Sequence, residues 1–213
     1  EELERRARER GRWRSINMCI ASSLSHDEPE RRANHYLAAD IPIAAIEDLI
    51  AAATRRLARG ELLRTHTLLD RLEAILATLG EDHASERELL LARAGALRAD
   101  CFDLQGRYLE ARDVANNVLE SATKLGLVEL AAQALARHAF ALLHSGSTEE
   151  AHRCFTQLFD EYAWRSPRAK ILAREGLARV AQRRGEIATA RAIFLECIEE
   201  ARALGFTAGP KMV

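Results

Sequence analysis

Residues 144–155, HSGSTEEAHRCF, decide the fold that this sequence predicts. Gly146 follows an apolar stretch with helical periodicity, and Ser147 and Glu150 then have the spacing of a capping box at the start of another helix. Ala151 is small and Phe155, four positions later on the same helical face, is large. We therefore predict two antiparallel helices joined by a short glycine turn.

The same pattern recurs along the chain at intervals of about forty residues, a period typical of a helical solenoid. The turns lie at Gly60, Gly106, Gly146 and Gly185, and Leu-Gly pairs that follow three of them end at Gly80, Gly126 and Gly205. We expect four hairpins, at about 43–80, 84–126, 127–164 and 166–205. Entry or capping helices in 1–42 precede them, and 206–213 is expected to be a tail or the start of a truncated further repeat.

The composition predicts an all-α protein and excludes several functions. Hydrophobic residues make up 48% and charged residues 30%, with four prolines and three tyrosines. A net charge of -1 argues against direct binding of nucleic acid, which requires a surplus of Lys and Arg. No apolar run has the length of a membrane span and no signal peptide is evident, so no membrane contact is expected. Because the sequence starts with Glu1 rather than methionine, we expect it to be a piece of a longer protein.

Catalytic and metal-binding patterns are missing from the sequence. There is no Gly-rich phosphate loop, nucleophile elbow or HExxH motif, so we predict no enzyme activity and no cofactor. The spacing of His138, His144 and His152 does not suit a metal site. The four cysteines, Cys19, Cys101, Cys154 and Cys197, form no CxxC pair. We therefore expect them to be buried thiols of a protein in the reducing cytoplasm. We expect Trp164 to fill a gap between hairpins.

The turn motif, glycine followed by an apolar residue, then alanine, then a large residue, resembles the tetratricopeptide repeat (TPR) in its longer variety. It reads Gly106, Tyr108, Ala111, Ala115; then Gly146, Thr148, Ala151, Phe155; then Gly185, Ile187, Ala190, Phe194; and, in its weakest copy, Gly60, Leu62, Thr65, Leu69. The family's tryptophan and its helix-ending proline are absent. The resemblance covers about residues 43–205 and implies an α-solenoid of about four antiparallel hairpins, a TPR-like superhelix with extra N-terminal helices.

A second resemblance lies upstream. The run RRANHYLAAD at 31–40, followed by alanine pairs and triplets at 44–45 and 51–53, is similar to the entry segment of helical repeats in large bacterial signalling proteins. In those proteins a kinase, cyclase or regulatory ATPase module precedes the repeats. The resemblance implies a sensor or scaffold segment whose partner could be its own neighbouring domain.

In such a solenoid the concave face, built from the first helix of each hairpin, carries the binding function. We call it the first-helix face, and the repeat register assigns to it Arg93, Asp100, Asp103, Gln133, Arg137, Phe140, His144, Glu175, Arg179, Gln182 and Arg183. The alternative interpretation of these residues is an ordinary solvated charged surface. The carboxylate clamp of some members of the family needs Lys and Asn where Ala96 and Asp100 stand, so binding of that kind is not expected.

Three functional hypotheses follow. The first is a protein-interaction module of a larger cytoplasmic bacterial signalling or regulatory protein, which binds a peptide, a partner or a neighbouring domain. The second is a peptide- or ligand-sensing receptor domain of a transcription regulator. The third is an assembly domain that forms a homodimer by stacking through Ile193, Phe194 and Cys197.

Overall fold

The computed structural model describes residues 2–205, and within that range it contains eleven α-helices and no β-strand. The predicted all-α class is therefore confirmed, whereas the expectation for 206–213 lies outside the described residues. A short 3-10 turn, Glu81–His83, separates α5 from α6. The helices are α1 (Glu2–Glu9), α2 (Trp13–Ser23), α3 (Pro29–Ala38), α4 (Pro42–Ala58), α5 (Leu62–Ala77), α6 (Ala84–Leu104), α7 (Tyr108–Lys124), α8 (Val128–His144), α9 (Thr148–Tyr162), α10 (Pro167–Arg183) and α11 (Ile187–Ala203).

The turn between α8 and α9 shows how each hairpin is closed. Gly146 adopts a φ of 94°, a left-handed conformation in which a side chain would be strained. Its N–H donates to the Leu143 carbonyl at 3.2 Å, and the Ser147 N–H donates to the Leu142 carbonyl at 2.9 Å. These are the two hydrogen bonds of a Schellman motif. The same pair of bonds ends α4, α6 and α10, so the first helix of every hairpin stops in the same way.

The capping box predicted at Ser147 is wrong. Ser147 does occupy the N-cap position of α9, but its side chain makes no capping hydrogen bond. Its ψ of 61° departs from the extended backbone that a capping side chain requires. Ser166, with φ −139° and ψ 111°, has the extended conformation, and its hydroxyl accepts from the Ala169 N–H at 3.1 Å.

The chain divides into two compact units within α6, the first ending at Cys101 and the second beginning at Phe102. In the first unit, α3 to α6 enclose a core of leucine and alanine, in which Leu49, Leu69 and Leu72 are completely buried. A nearly buried ion pair lies at the edge of this unit, where the Arg32 guanidinium holds both carboxylate oxygens of Asp48 at 2.9 and 3.0 Å.

The second unit owes its close helix packing to small residues. Six of the nine buried residues of α8 are alanines, which lets α7, α9 and α10 approach it closely. Phe155 of α9 is fully buried, and a Cβ atom added to Gly176 of α10 would lie 2.2 Å from its ring. Gly176 therefore provides the space that the Phe155 ring occupies.

Two predictions about single residues are wrong. Cys19 is exposed, whereas Cys101 and Cys197 are buried as expected and Cys154 is half-buried. Cys19 lies on α2, which has few neighbours to cover it. Trp164 is 77% exposed because it follows α9 in the loop before α10. Its ring does not fill a gap between hairpins, and the Arg165 guanidinium lies 5.3 Å from the ring centroid.

Candidate functional site

The residues of the first-helix face are divided between the two units, and the first unit contains Arg93 and Asp100. Arg93 forms an ion pair with Glu47 of α4 at 2.6 Å. Asp100 is half-buried near the end of α6. Both residues belong to a helix whose apolar side packs into the core of the first unit through Leu90 and Ala94.

In the second unit, Asp103 and His144 come together across forty residues of sequence. The His144 Nδ1 lies 3.1 Å from the Asp103 Oδ1, at the C-terminal ends of α6 and α8. The Tyr108 ring packs on the same imidazole with a centroid distance of 4.9 Å. The Schellman turns position this contact, because they end both helices at equivalent places.

Phe140 connects this histidine to α10. Its ring centroid lies 6.4 Å from that of His144 and 4.8 Å, edge to face, from that of the buried Phe155. The Arg179 guanidinium stands 5.9 Å from the Phe140 ring centroid, a distance that allows a cation–π contact. Arg179 also donates from Nε and Nη2 to one carboxylate oxygen of Glu175, at 3.0 and 2.7 Å.

Next to this cluster the surface forms a cavity of about 340 Å³. Its lining combines a buried apolar residue with polar and cationic groups, and no carboxylate lines it: Leu143, His144, Arg179, Gln182 and Arg183. Four of these five residues were predicted for the first-helix face. The side chains of Gln182 and Arg183 on α10 are exposed and have no hydrogen-bond or ion-pair partner among residues 2–205.

The remaining predicted residues lie outside the cavity. Gln133 donates to Glu129 one turn earlier in α8 at 3.3 Å, and Arg137 is half-buried in the same helix. Sequence reasoning missed Leu143 and Tyr108, since both match the apolar pattern of the core. The signal that would have indicated Leu143 is its position three residues before the turn glycine, which is equivalent to that of Asp103 and Gln182.

No metal-binding cluster of His, Cys, Asp and Glu exists in the part of the chain that the structure describes. Burial raises the pKa of the Cys154 and Cys197 thiols, which disfavours the thiolate that a nucleophile or metal ligand would need. Across residues 2–205, no helix combines the length and apolar character needed to cross a membrane.

No protein-family model and no curated protein sequence matches the chain. Among the solved structures that are similar to it are two of the nearly identical TPR-like repeats of a putative kinesin light chain from Podosopora anserina. One has a TM-score of 0.56 at 18% identity and covers 97% of this chain and 94% of its own. The other has a TM-score of 0.51 at 22% identity, with coverages of 96% and 92%. The chain has a TPR-like helical-repeat fold. At these identities the similarity establishes the fold alone.

Proposed function

We propose that this chain is a protein-interaction module that binds a peptide or an extended partner segment on the first-helix face of its second unit. The observation that carries the proposal is the cavity at the ends of α8 and α10, where the half-buried His144 and Arg179 and the exposed Gln182 and Arg183 lie beside the buried Leu143. A binding site typically combines an apolar floor with a few polar groups that orient the ligand. The fold supports this proposal, since stacked helical repeats form an extended surface of the kind that solenoid proteins use for binding.

The finer parts of the proposal rest on the sequence. The resemblance of residues 31–53 to entry segments favours a regulatory segment of a larger bacterial signalling protein, with its own kinase or ATPase domain as one candidate partner. The cysteine spacing favours a cytoplasmic location. The proposal assigns the chain no catalytic role.

The test is a selection of random dodecapeptides displayed on phage against the immobilised chain, followed by fluorescence anisotropy of the recovered peptides. We compare the wild type with the double variant Arg179→Glu and Arg183→Glu. The matched control is Arg191→Glu with Arg202→Glu, which changes the net charge equally at two exposed positions of α11.

We expect the recovered peptides to bind the wild type and the α11 control with equal affinity and to lose at least tenfold in affinity for the α10 variant. Circular dichroism should show the same helicity for all three proteins. Equal binding to all three, or no peptide recovered above background, would contradict peptide binding on this face.

A further inference from the structure

The outer side of α11, the last described helix, is apolar and uncovered. Ile187, Leu195 and Ile198 are 63, 53 and 40% exposed, and helical periodicity places them on the same side of α11. The exposed Ala188 and Ala192 lie between them, and we call these five residues the α11 face. The opposite side of the helix packs on α10. Neighbouring exposed apolar residues indicate a surface that another molecule covers.

The α11 face differs from the stacking surface that the sequence suggested. Of the three residues predicted for that surface, Cys197 is buried and Ile193 and Phe194 are half-buried. The Cys197 thiol donates to the Ile171 carbonyl at 3.6 Å, so it belongs to the packing of α10 on α11. Assembly through Cys197 would require this hairpin to open, whereas the α11 face is accessible without any change.

Part of the α11 face has a covered counterpart in another hairpin. Ile198 corresponds to Phe159 of α9, since both lie thirteen positions after the turn glycine. Phe159 is half-buried, and its ring centroid lies 5.8 Å from the Arg174 guanidinium on α10, the helix that follows. A further hairpin after α11 would therefore cover Ile198 in the same way.

Such a hairpin would not explain Leu195. The counterparts of this leucine, ten positions after the turn glycine, are all polar: Asp70, Asn116 and Thr156. Thr156 remains exposed although α10 and α11 follow α9, so the packing of one hairpin on the next leaves this position in water. The leucine at this position of α11 instead indicates contact with a different molecule.

The charges beside Leu195 match those of a second copy of the chain. Arg191 and Glu199 lie four positions before and after it, both are exposed, and neither has an ion-pair partner among residues 2–205. At a rise of about 1.5 Å per residue, each lies about 6 Å along the axis from Leu195. When two α11 helices pack antiparallel about Leu195, Arg191 of each copy is level with Glu199 of the other. Ile198 is then level with the smaller Ala192.

The other charges of α11 leave this match intact. Glu196 and Glu200 contact cationic side chains of α10 within the same hairpin. Arg202 is level with Ala188 of the other copy, at the end of the contact. It remains one uncompensated charge in each copy, exposed to solvent and screened by salt.

We propose that the α11 face is a homodimer interface, in which the α11 helices of two copies pack antiparallel with Leu195 at the two-fold axis. In a two-fold interface the same surface is used by both copies and must be complementary to itself. Since α11 contributes no residue to the cavity at the ends of α8 and α10, this interface does not depend on peptide binding. The α11 control variant described above should keep its affinity for peptides and lose the dimer.

Sedimentation velocity of the full chain in reducing buffer, which prevents disulfides through the exposed Cys19, tests the interface. One helix pair makes a small contact of the kind found in transient complexes, so the concentration series extends to about 500 µM. We expect the wild type to pass from monomer to dimer within this range. Leu195→Gln should weaken dimerisation at least tenfold. The matched control is Leu63→Gln, at an even more exposed leucine of α5, which should leave the dissociation constant within twofold.

Charge reversal tests the antiparallel arrangement. Arg191→Glu and Glu199→Arg should each weaken dimerisation at least tenfold, because each makes like charges level with one another. The double variant should dimerise as the wild type does, and an equimolar mixture of the two single variants should form a heterodimer. Circular dichroism should show the same helicity for every variant, since both positions are exposed.

Three results would overturn the homodimer interface and leave peptide binding untouched. A wild type that stays monomeric at every concentration would assign the α11 face to a following segment of a longer protein or to another protein. A dimer that is insensitive to Leu195→Gln would lie elsewhere on the surface. A double charge-reversal variant that stays monomeric would exclude the pairing of Arg191 with Glu199.

Discussion

Replacement of Gly176 by alanine should destabilise the protein, although alanine is the better helix former. A Cβ atom at this position would lie 2.2, 2.2 and 2.4 Å from three atoms of the Phe155 ring. Ordinary contacts of a Cβ atom begin at 3.4 Å, so the ring must retreat by roughly 1 Å. Phe155 is fully buried and packs edge to face on Phe140, which leaves it no free space to move into.

Two opposing contributions determine the size of the effect. Alanine in a helix interior gains about 1 kcal/mol over glycine by propensity. Overpacking of a core costs typically about 1–3 kcal/mol, and more when the neighbours cannot yield. We expect a net loss of about 2 kcal/mol in the free energy of unfolding, which lowers the melting temperature of a chain of this length by about 4–8 °C.

Thermal unfolding followed by circular dichroism provides the assay, and a double-mutant cycle provides the decisive comparison. In a Phe155→Leu background the ring atoms are gone, so Gly176→Ala should become neutral or stabilising. Gly80→Ala is the matched control, because Gly80 has a φ of −68° and a Cβ atom there meets nothing within 4 Å. An equal loss of stability with and without the Phe155 ring would refute the reasoning.

Three further predictions concern buried and charged residues. Arg32→Ala should cost about 3–5 kcal/mol in urea-induced unfolding, because it leaves the buried Asp48 carboxylate without its bidentate partner; a loss below about 1 kcal/mol would contradict that role. Burial raises the pKa of Glu30, but hydrogen bonds from Arg56 and Arg64 outweigh it and hold that pKa below its ordinary 4.5, so Glu30 stabilises the fold above that pH and loses this contribution as the pH falls through the lowered value. Glu30→Gln should therefore flatten the acid side of the stability curve, and parallel curves for variant and wild type would contradict this. Ala151→Arg should abolish the cooperative unfolding of the second unit by introducing a charge at a fully buried position, whereas an unchanged melting profile would contradict the packing of α9.

The helices were predictable because they depend on local signals. The first helix of each hairpin ends at a residue in the left-handed conformation, which is Gly146 or its counterpart. Because glycine adopts this conformation most readily, its position in the sequence predicts where the helix ends. The capping at Ser147 was not predictable, since it depends on a ψ angle that the preceding turn imposes. The need for glycine at position 176 was also not predictable, because it arises from the contact with Phe155 on another helix.

The sequence predicted which positions lie on the first-helix face, but it did not predict the contacts between their side chains. The repeat register placed His144, Arg179 and Arg183 on one side of the first helices, since helical periodicity is local. The contact of His144 with Asp103, and the engagement of Arg184 by Glu149 instead of the cavity, depend on the packing between hairpins. For the same reason, sequence alone could not identify which of the two adjacent arginines lines the cavity.

The most direct test of the account is photo-crosslinking with a recovered peptide that carries a benzophenone group near its centre. The crosslinked protein is digested and the attachment site is located by mass spectrometry. The account predicts attachment within 140–144 of α8 or 179–183 of α10. Attachment confined to α9 or α11 would contradict the central claim that the cavity at the ends of α8 and α10 holds the partner.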